Sequence, residues 1–523
     1  MIKRITRRLY GWLGSGWFFW AVVALFVASA VWIVFTGRYP MAYDEDFHLG
    51  IISLYAQQWS PFFAAQPAGA DQFGAVVRDP SYLHHYLLSF PYRWADWAFQ
   101  GREYWTVISL RLFNVAFLAG ALVLYRKAIL ATKASPAVAN TVLLFFVLTP
   151  VVPYLAAQIN YDNLLILFAA GNFWLALKVV QALRQGRLPL ATMTVLVSGL
   201  MLASLVKYSY LPIAAAITVF IIFMVWRQRQ QIAPAKLLWQ AWHDFGRRSL
   251  VLRAGVAALL AVSAGLFVAM YGYNTAKYLT PAPECDQVIG VERCKAYGAW
   301  NRNYNYLQTR QTVEASANPV SFTWSWGATY LNSLFFAVNG SYSGFIAAPP
   351  LLVLFSAAVV ALFVGLALII RYARRIFAQP VYALLGFTVL VYMAVLWVQN
   401  YGEYVRLGRH VAEQGRYTLV ILPAAYLLVI AAVRCLPFLA AKAKAVNRDR
   451  LERLQMRKIA AVLGCLVVFT QGGGALTYIV RTNPDWWWHG GTTITVNQNL
   501  QKVLGPFQYQ YWPHTDPAKR ESQ

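Results

Sequence analysis

The sequence predicts an all-α polytopic membrane protein with about 11 transmembrane helices. Three observations lead to this fold class. Of the 523 residues, 59% are hydrophobic and only 12% are charged, well below the charged fraction of soluble domains. The apolar residues occur in blocks of about 20, long enough for a helix to cross about 30 Å of hydrocarbon. Positive charge is concentrated in alternate loops. This composition excludes a disordered chain, a basic nucleic-acid-binding protein and an ordinary cytosolic enzyme.

The predicted spans are separated by two kinds of loop. Loops on one side are mostly short and basic, whereas residues 37–104, 273–345 and 481–523 form longer segments on the other side. We expect residues 1–480 to form one transmembrane module and 481–523 a short external tail. The spans are predicted at about 17–36, 105–124, 137–156, 161–179, 190–206, 209–226, 254–272, 346–370, 380–399, 416–436 and 459–480.

The charge distribution predicts the orientation of the chain. There are 45 Lys and Arg against 20 Asp and Glu, a formal net charge of +25. About 27 of the basic residues fall on the side of the N-terminus, where the acids are only Asp244, Asp449 and Glu452. We therefore expect a cytoplasmic N-terminus and an external C-terminus in a bacterial-type inner (plasma) membrane. The basic run 442–458 is the segment best suited to anionic lipids.

The four cysteines agree with this orientation. Cys285 and Cys294 fall in the large external loop, whereas Cys435 and Cys465 lie near or inside predicted helices. A closely spaced pair in an oxidising compartment indicates a disulfide, and the alternative is two unpaired thiols.

The first external loop opens with an unusual group of acids. Asp44, Glu45, Asp46 and His48 lie within five residues of a chain that has only 20 acidic residues. If the stretch is helical, Asp44 and His48 share a face, and Glu45 points about 100° away. Crowded carboxylates at a bilayer surface are costly for folding, so they suggest a function. The alternative is a solvated helix start with acids near the positive end of the helix dipole.

Further along the same loop, cations and aromatic residues are mixed. The segment from Arg78 through Tyr82, His84 and His85 is followed by Phe90-Pro91-Tyr92-Arg93-Trp94. This mixture predicts an amphipathic helix in the membrane interface, and would also suit a surface that holds a phosphate beside a lipid chain. The alternative is an aromatic belt with snorkelling arginines. We expect the large loop between spans seven and eight to be of mixed structure.

Single charges stand at the other external turns. Asp162 is a lone carboxylate at the start of span four, where it either caps that helix or converges with the first-loop acids. Lys207 is the only cation at its turn, and Arg416-Tyr417 enters span ten. The outer-rim cations that could pair with a phosphate are Lys207, Arg406, Arg409 and Arg416.

These motifs resemble those of the GT-C membrane glycosyltransferases. The similarity is to the branch that uses polyprenyl-phosphate sugars, which includes protein O-mannosyltransferases and the aminoarabinose transferases of lipid A. Asp44-Glu45 resembles the Asp-Glu signature that follows the first helix, and residues 79–86 resemble a proline-tyrosine motif. Asn160-Tyr161-Asp162 resembles the second acidic site. Gln414-Gly415-Arg416-Tyr417, followed by Leu422-Pro423, resembles an arginine motif of related bacterial envelope proteins.

The resemblance implies a glycosyltransferase that moves a sugar from a polyprenyl-phosphate donor to a lipid, glycan or protein acceptor of the cell envelope, on the external side and with inversion. The departing phosphate is a stable anion and needs no general acid, unlike the leaving group of a glycoside hydrolase. The site then needs a base for the acceptor hydroxyl and positive charge for the phosphate. Asp44 is the predicted base. Its neighbours Glu45 or Asp46 are expected to make it a stronger base or to orient the acceptor, and Asp162 is a further predicted catalytic group. The predicted substrate-binding residues are Asp46, His48, Arg78, Tyr82, His84, His85, Lys207, Arg416 and Tyr417.

The sequence leaves open the cofactor, the identity of the base and two alternative functions. The sequence makes no cofactor certain, but Asp44, Asp46, His48, His84 and His85 offer oxygen and nitrogen ligands for a divalent metal. The extra Asp46 leaves the identity of the base undecided. The alternative functions are a transporter or flippase of a lipid-linked sugar, indicated by polar residues inside spans, and an envelope scaffold. The candidates for a transport path are Arg111, Asn114 and residues 472–474.

Overall fold

The computed structural model describes residues 11–41, 43–228, 234–308, 318–335, 337–338, 346–347, 352–436, 475, 478–479, 482, 486–488 and 492–504. Several predictions fall on residues outside this part of the chain: the basic run 442–458, Cys465, residues 472–474 and nearly all of the predicted span 459–480.

The described chain is built from helices, with one pair of very short strands. The strands β1 (Ala337–Val338) and β2 (Ile346–Ala347) pair antiparallel; β1 lies in the predicted loop 273–345 and β2 at the start of the predicted span 346–370. The helices are α1 Gly16–Thr36, α2 Glu45–Ala56, α3 Leu83–Ala98, α4 Glu103–Ala131, α5 Pro136–Leu148, α6 Val151–Ala156, α7 Tyr161–Arg184, α8 Leu190–Val206, α9 Leu211–Gln228, α10 Pro234–Gly246, α11 Leu250–Phe267, α12 Tyr273–Tyr278, α13 Cys285–Ile289, α14 Val291–Cys294, α15 Gly298–Gln308, α16 Pro319–Phe335, α17 Leu352–Arg371, α18 Ala373–Phe377, α19 Pro380–Leu407, α20 Leu422–Val433 and α21 Thr492–Leu504.

Six helical segments within the described ranges are long and apolar enough to cross a membrane. Shorter apolar helices, among them α5, α8 and α20, pack beside them. The prediction of an all-α polytopic membrane protein is therefore confirmed. The six segments are Gly16–Thr36, Glu103–Ala131, Tyr161–Arg184, Tyr208–Gln228, Leu250–Tyr278 and Pro380–Leu407.

Two predicted spans are interrupted by proline. The predicted span 137–156 is divided between α5 and α6, because Pro150 has no N–H with which to continue the helical ladder. The predicted span 416–436 begins as a 3₁₀ helix, Gly415–Val420, and continues as α20 with Pro423 in its first turn. The second interruption turns the residues around Arg416 out of a regular α-helix at the rim.

Three other spans have different boundaries from those predicted. The span predicted at 254–272 is helical from Leu250 to Tyr278, with one π turn at Val268–Gly272. The span predicted at 380–399 continues to Leu407, so the first half of the polar segment 400–415 is helical. The span predicted at 346–370 starts with β2 before α17 begins.

The first external loop folds into two helices joined by 3₁₀ turns at Ala70–Phe73 and Val76–Arg78. The second of these helices, α3, is amphipathic as predicted. It buries His84, His85 and Leu88, and its other face exposes Trp94 and Trp97. The polar side of this loop therefore faces the protein, where it meets α4, α7 and α8.

Two distant segments brace the first external loop. A disulfide joins Cys285 to Cys294, and Arg293 beside it forms an ion pair of 2.7 Å with Asp71. Near the C-terminus, the Arg38 N–H donates to the Trp486 carbonyl over 2.8 Å, and residue 488 donates back to Thr36. The start and the middle of the loop are thus both tied to segments far along the chain.

Candidate active site

Two outward acidic turns meet at a single arginine. Arg416 Nη2 lies 3.2 Å from Asp44 Oδ2, and Arg416 Nε lies 4.0 Å from Asp162 Oδ2. Lys207 Nζ donates to Asp162 Oδ1 over 2.7 Å. We call Asp44, Asp162, Lys207 and Arg416 the ion cluster. Its four members come from four separate segments of the chain.

The ion cluster is buried on one side and open on the other. The side chains of Asp162, Lys207 and Arg416 are between 3% and 7% exposed, whereas that of Asp44 is 66% exposed. Charges removed from water interact far more strongly than charges at a surface. In addition, Asp162 Oδ2 and Arg416 Nε are buried and have no hydrogen-bond partner among the described residues, although they face each other. The cluster thus contains two ion pairs, two buried polar atoms that can form a further hydrogen bond, and one carboxylate that is accessible to solvent.

The backbone before α2 directs Asp44 towards Arg416. Tyr43 and Asp44 both adopt left-handed conformations, with φ of 70° and 67°, which are costly for residues other than glycine. Asn160 Nδ2 and Arg416 Nη1 donate to the Tyr43 carbonyl over 2.9 and 3.3 Å and hold this turn. Asp44 therefore precedes the helix instead of lying in it. The Asp44 carbonyl accepts the His48 N–H over 3.0 Å, but the Asp44 side chain meets Arg416, whereas the His48 ring meets His85.

Glu45 is fully buried, and both of its carboxylate oxygens accept hydrogen bonds. Arg111 Nε and Nη2 donate to its two carboxylate oxygens over 2.8 and 2.7 Å. The backbone N–H groups of Met41 and Ile159 donate to the same carboxylate over 2.7 and 3.0 Å. Through these contacts Glu45, the residue after Asp44, links the start of α2 to α4 and to the turn before α7. A catalytic role that needs contact with substrate remains a prediction for Glu45.

Asp162 lies in the first turn of α7 but does not cap it. The cap is Asn160, whose side-chain oxygen accepts the Asp162 N–H over 2.9 Å. Asp162 is thereby left to pair with Lys207 and to face Arg416. Of the two alternatives that the sequence left open for Asp162, the structure supports convergence with the first-loop acids.

Lys207 stands at the end of α8 in extended backbone. Its ammonium lies 4.4 Å from the ring centre of Tyr161 and 4.5 Å from that of Tyr417. Burial lowers the pKa of Lys207 to about 8, although Asp162 acts in the opposite direction. Next to it, the Tyr208 N–H donates to Ser81 Oγ over 3.1 Å, which ties this turn to the first external loop.

Arg416 owes its position to the glycine before it. A Cβ atom at Gly415 would lie 2.5 Å from the Tyr330 carbonyl oxygen and 2.8 Å from the Leu334 nitrogen, both in α16. The Gly415 N–H donates to Ser333 Oγ over 2.6 Å. The 3₁₀ helix is therefore pressed against α16 at a point where only glycine fits.

We expect Gly415→Ala to displace this 3₁₀ helix, since backbone atoms cannot move aside as a flexible side chain can. The variant should lose about 2 kcal/mol of stability or more, together with the alignment of Arg416. Thermal unfolding of the purified protein measures the first effect. The matched control is Gly402→Ala, because no atom lies within 4 Å of the added methyl group there. A Gly415→Ala protein as stable as the control would refute the argument from close packing.

Three buried histidines form one wall beside the ion cluster. His48 Nδ1 and His85 Nε2 share a hydrogen bond of 2.9 Å, and His84 Nε2 lies 3.3 Å from Asn114 Oδ1. Burial lowers the pKa of His84 to about 4 and lowers the pKa values of His48 and His85 well below 6.5. The ring of Tyr161 separates His48 from Lys207. The wall is therefore neutral at physiological pH and adds no charge to the cluster.

The remaining predicted residues lie around this centre. Asp46 is exposed, and Tyr82 is buried. Arg78 packs over the ring of Tyr273 at 3.9 Å, outside the ion cluster. Tyr417 contacts both cations of the cluster. Of the other outer cations, Arg406 pairs with Glu284 and Glu403, and Arg409 lies over Tyr306.

The residues considered for a divalent metal do not fit one. Within the described ranges, no group of three or more His, Cys, Asp and Glu side chains is arranged to hold a metal ion. His48 Nδ1, His85 Nε2 and His84 Nε2 are used in contacts to one another or to Asn114, whereas His84 Nδ1 and His85 Nδ1 are buried with no hydrogen-bond partner among the described residues. Asp44 is directed at Arg416.

Arg111 and Asn114, which the sequence indicated only as candidates for a transport path, belong to the hydrogen-bond network around the site. Arg111 pairs with Glu45, and its Nη1 also donates to the Gly37 carbonyl over 2.6 Å. Asn114 Oδ1 accepts from Asn163 Nδ2 over 3.2 Å and from the Asn160 N–H over 3.4 Å. The two residues are three positions apart and so share one face of α4, a pattern that was visible in the sequence.

Comparisons with known proteins give only distant similarity. No protein-family model matches the chain, and no curated protein matches it. Among solved structures, the apo oligosaccharyltransferase of Archaeoglobus fulgidus is 12% identical, with a TM-score of 0.46 over 96% of this chain and 62% of that one. The archaeal oligosaccharyltransferase AglB of Archaeoglobus fulgidus, in complex with an inhibitory peptide and a dolichol-phosphate, gives 12% identity and a TM-score of 0.44 over 97% of this chain and 62% of that one. The chain thus spans less than two thirds of the length of these enzymes.

Proposed function

We propose that the protein is a GT-C-type membrane glycosyltransferase, which moves a sugar from a polyprenyl-phosphate donor to a cell-envelope acceptor. The observation that supports this proposal is the ion cluster, in which Arg416 links Asp44 to Asp162. A buried pair of cations beside an accessible carboxylate provides the two functions that such a reaction needs: charge for a departing phosphate and a base for an incoming hydroxyl.

The reaction proceeds by displacement at the anomeric carbon of the donor sugar. Asp44 accepts the proton of the acceptor hydroxyl as its oxygen attacks that carbon. The new glycosidic bond forms on the face opposite to the phosphate, and the bond between carbon and phosphate oxygen breaks. Polyprenyl phosphate leaves with the bonding electron pair, and the anomeric configuration is inverted. No proton is needed at the leaving oxygen, because the phosphate carries the charge.

Lys207 and Arg416 hold the phosphate in this scheme. Arginine presents several donors in one plane and suits phosphate oxygens, whereas the lysine ammonium acts as a point charge. The rings of Tyr161 and Tyr417 shield the Lys207 ammonium from water, and the ring of Tyr43 shields the Arg416 guanidinium. The donor phosphate therefore meets two cations that are already desolvated. Arg416 Nε and Asp162 Oδ2, which have no hydrogen-bond partner in the part of the chain that the structure describes, would bind groups of the bound donor.

Glu45 acts as a positioning residue. Its bidentate pair with Arg111 and its two backbone bonds hold the turn from which Asp44 projects. These contacts account for Arg111, and the hydrogen bonds of Asn114 to His84, Asn160 and Asn163 account for Asn114, without a transport path through the spans. Asp46, which is exposed beside Asp44, is left to contact the acceptor.

The orientation of the site follows from the chain path. Asp44 comes after α1, Asp162 begins α7 and Lys207 ends α8, so all three lie at one end of their helices. Because the loops at the other end carry the excess of positive charge, we expect the site to face the external side of the membrane.

The experiment that tests the proposal is a transfer assay with purified protein in nanodiscs. The donor probe is a lipid-linked sugar fraction extracted from membranes, and release of free polyprenyl phosphate is the readout. We expect release that depends on an envelope acceptor extract. Movement of the donor across the bilayer without release of polyprenyl phosphate would instead establish the flippase alternative.

Donor affinity should depend on pH through Lys207. The folded pKa of Lys207 is about 8, so the ammonium of the free protein is lost as the pH rises above this value. Affinity for a polyprenyl phosphate should then fall by up to about tenfold per pH unit, while below pH 8 it stays level. Microscale thermophoresis from pH 6.5 to about 9.5 measures this, since the phosphate itself titrates near pH 6.

Lys207→Arg is the matched control, because a guanidinium stays protonated over this range. Its affinity should not fall with pH. An equal fall of affinity with pH in Lys207→Arg and in the wild type would show that Lys207 does not bind the donor phosphate.

A further inference from the structure

The helix α10 presents an exposed apolar face that no part of the described chain covers. Leu238, Trp239 and Trp242 are 60%, 66% and 70% exposed. Ala241, on the edge of the same face, is buried where α10 packs against α8. On an α-helix, these positions and Phe245 fall within an arc of about 160°. Two indole rings and a leucine on one side of a 13-residue helix form an amphipathic pattern.

The opposite side and the end of α10 are polar and basic. Lys236 lies on the polar side, and Arg247 and Arg248 follow the last turn; all three are exposed. The exposed acid nearby is Asp244. Cations beside a Trp-rich face match a membrane interface, where the rings enter the headgroup layer and the cations meet lipid phosphates.

The position of α10 in the chain places it at the end of two membrane spans. The segment before it, Tyr208–Gln228, starts next to Lys207 in the ion cluster and covers about 30 Å as a helix. The segment after it, Leu250–Tyr278, starts four residues beyond the end of α10. The helix α10 therefore lies at the membrane face opposite to the candidate site, the face where the loops are basic.

We propose that α10 is an interfacial helix that binds anionic phospholipid at the cytoplasmic surface of the membrane. Leu238, Trp239 and Trp242 enter the headgroup region, and Lys236, Arg247 and Arg248 bind the lipid phosphates. The helix packs on α8, whose far end carries Lys207. The binding site is separate from the proposed active site and does not depend on the proposed reaction.

Hydrogen–deuterium exchange of the full chain in nanodiscs tests this proposal. Discs of phosphatidylcholine are compared with discs that contain one third phosphatidylglycerol. We expect exchange of the α10 amides to be slowed by about threefold or more by phosphatidylglycerol. Added salt should remove the difference, because screening weakens charge attraction at the surface.

The triple variant Lys236→Gln/Arg247→Gln/Arg248→Gln should lose the response to phosphatidylglycerol. The matched control is Arg371→Gln/Arg374→Gln/Arg375→Gln, which removes three exposed arginines before α19 at the same membrane face. The control should respond as the wild type does. Equal exchange of wild-type α10 in both kinds of disc, or an equal loss in the control variant, would overturn the proposal. Unchanged exchange of α8 in phosphatidylcholine discs verifies that each variant is folded.

Discussion

Asp44→Asn is expected to reduce sugar transfer by about 100-fold or more, because an amide cannot accept the proton of the acceptor hydroxyl. The side chain is 66% exposed, and an asparagine of the same shape can keep a hydrogen bond to Arg416. Stability and affinity for polyprenyl phosphate should therefore stay close to wild type. Single-turnover transfer, donor binding and thermal unfolding measure the three quantities separately.

The matched control for this variant is Asp46→Asn. Asp46 is an exposed carboxylate two residues away, at the same rim and in the same helix start. We expect it to change acceptor affinity by a few-fold and to leave the rate of the chemical step nearly intact. If Asp46→Asn abolished transfer and Asp44→Asn did not, the base would be reassigned to Asp46.

Arg111→Met is expected to cost about 3–5 kcal/mol of folding stability, because it leaves the Glu45 carboxylate buried without its charge partner. The two side chains are fully buried, and two backbone N–H groups are not a sufficient substitute for the guanidinium. The double variant Glu45→Gln/Arg111→Met should regain part of this stability, because it removes the unpaired charge. Equilibrium unfolding in detergent gives both differences.

The control for the buried pair is an exposed one. Arg293 and Asp71 form an ion pair of the same length at the surface, where water screens their attraction. Arg293→Met should therefore change the unfolding midpoint little. A double variant at positions 45 and 111 as unstable as Arg111→Met alone would show that lost packing, and not the unpaired charge, causes the effect.

Much of the fold follows from the sequence, because apolar periodicity and loop charge are local properties. The long spans α1, α4 and α7 overlap the hydrophobic blocks that predicted them, and α19 begins at the predicted residue but continues beyond the predicted end to Leu407. The divided span at α5 and α6 was not predicted, since a proline within an apolar block can either kink a helix or end it. Packing decides between these outcomes, and packing is not visible in one sequence.

The candidate site was predictable in its residues but not in its pairing. Asp44, Asp162, Lys207 and Arg416 stand out as rare charges at outer turns, and each is at the centre of the site. The role of Glu45 was not predictable, because its partner Arg111 lies 66 residues away inside an apolar helix. Likewise, the need for glycine at position 415 depends on α16, which approaches only in the folded chain.

The most direct test of the account is a structure of the protein with a polyprenyl phosphate bound. We expect the phosphate oxygens within about 3 Å of Lys207 Nζ and of the Arg416 guanidinium, with the lipid chain leading into the bilayer and the Asp44 carboxylate on the open side. A phosphate bound away from Lys207 and Arg416, with the ion cluster unchanged and closed, would contradict the account.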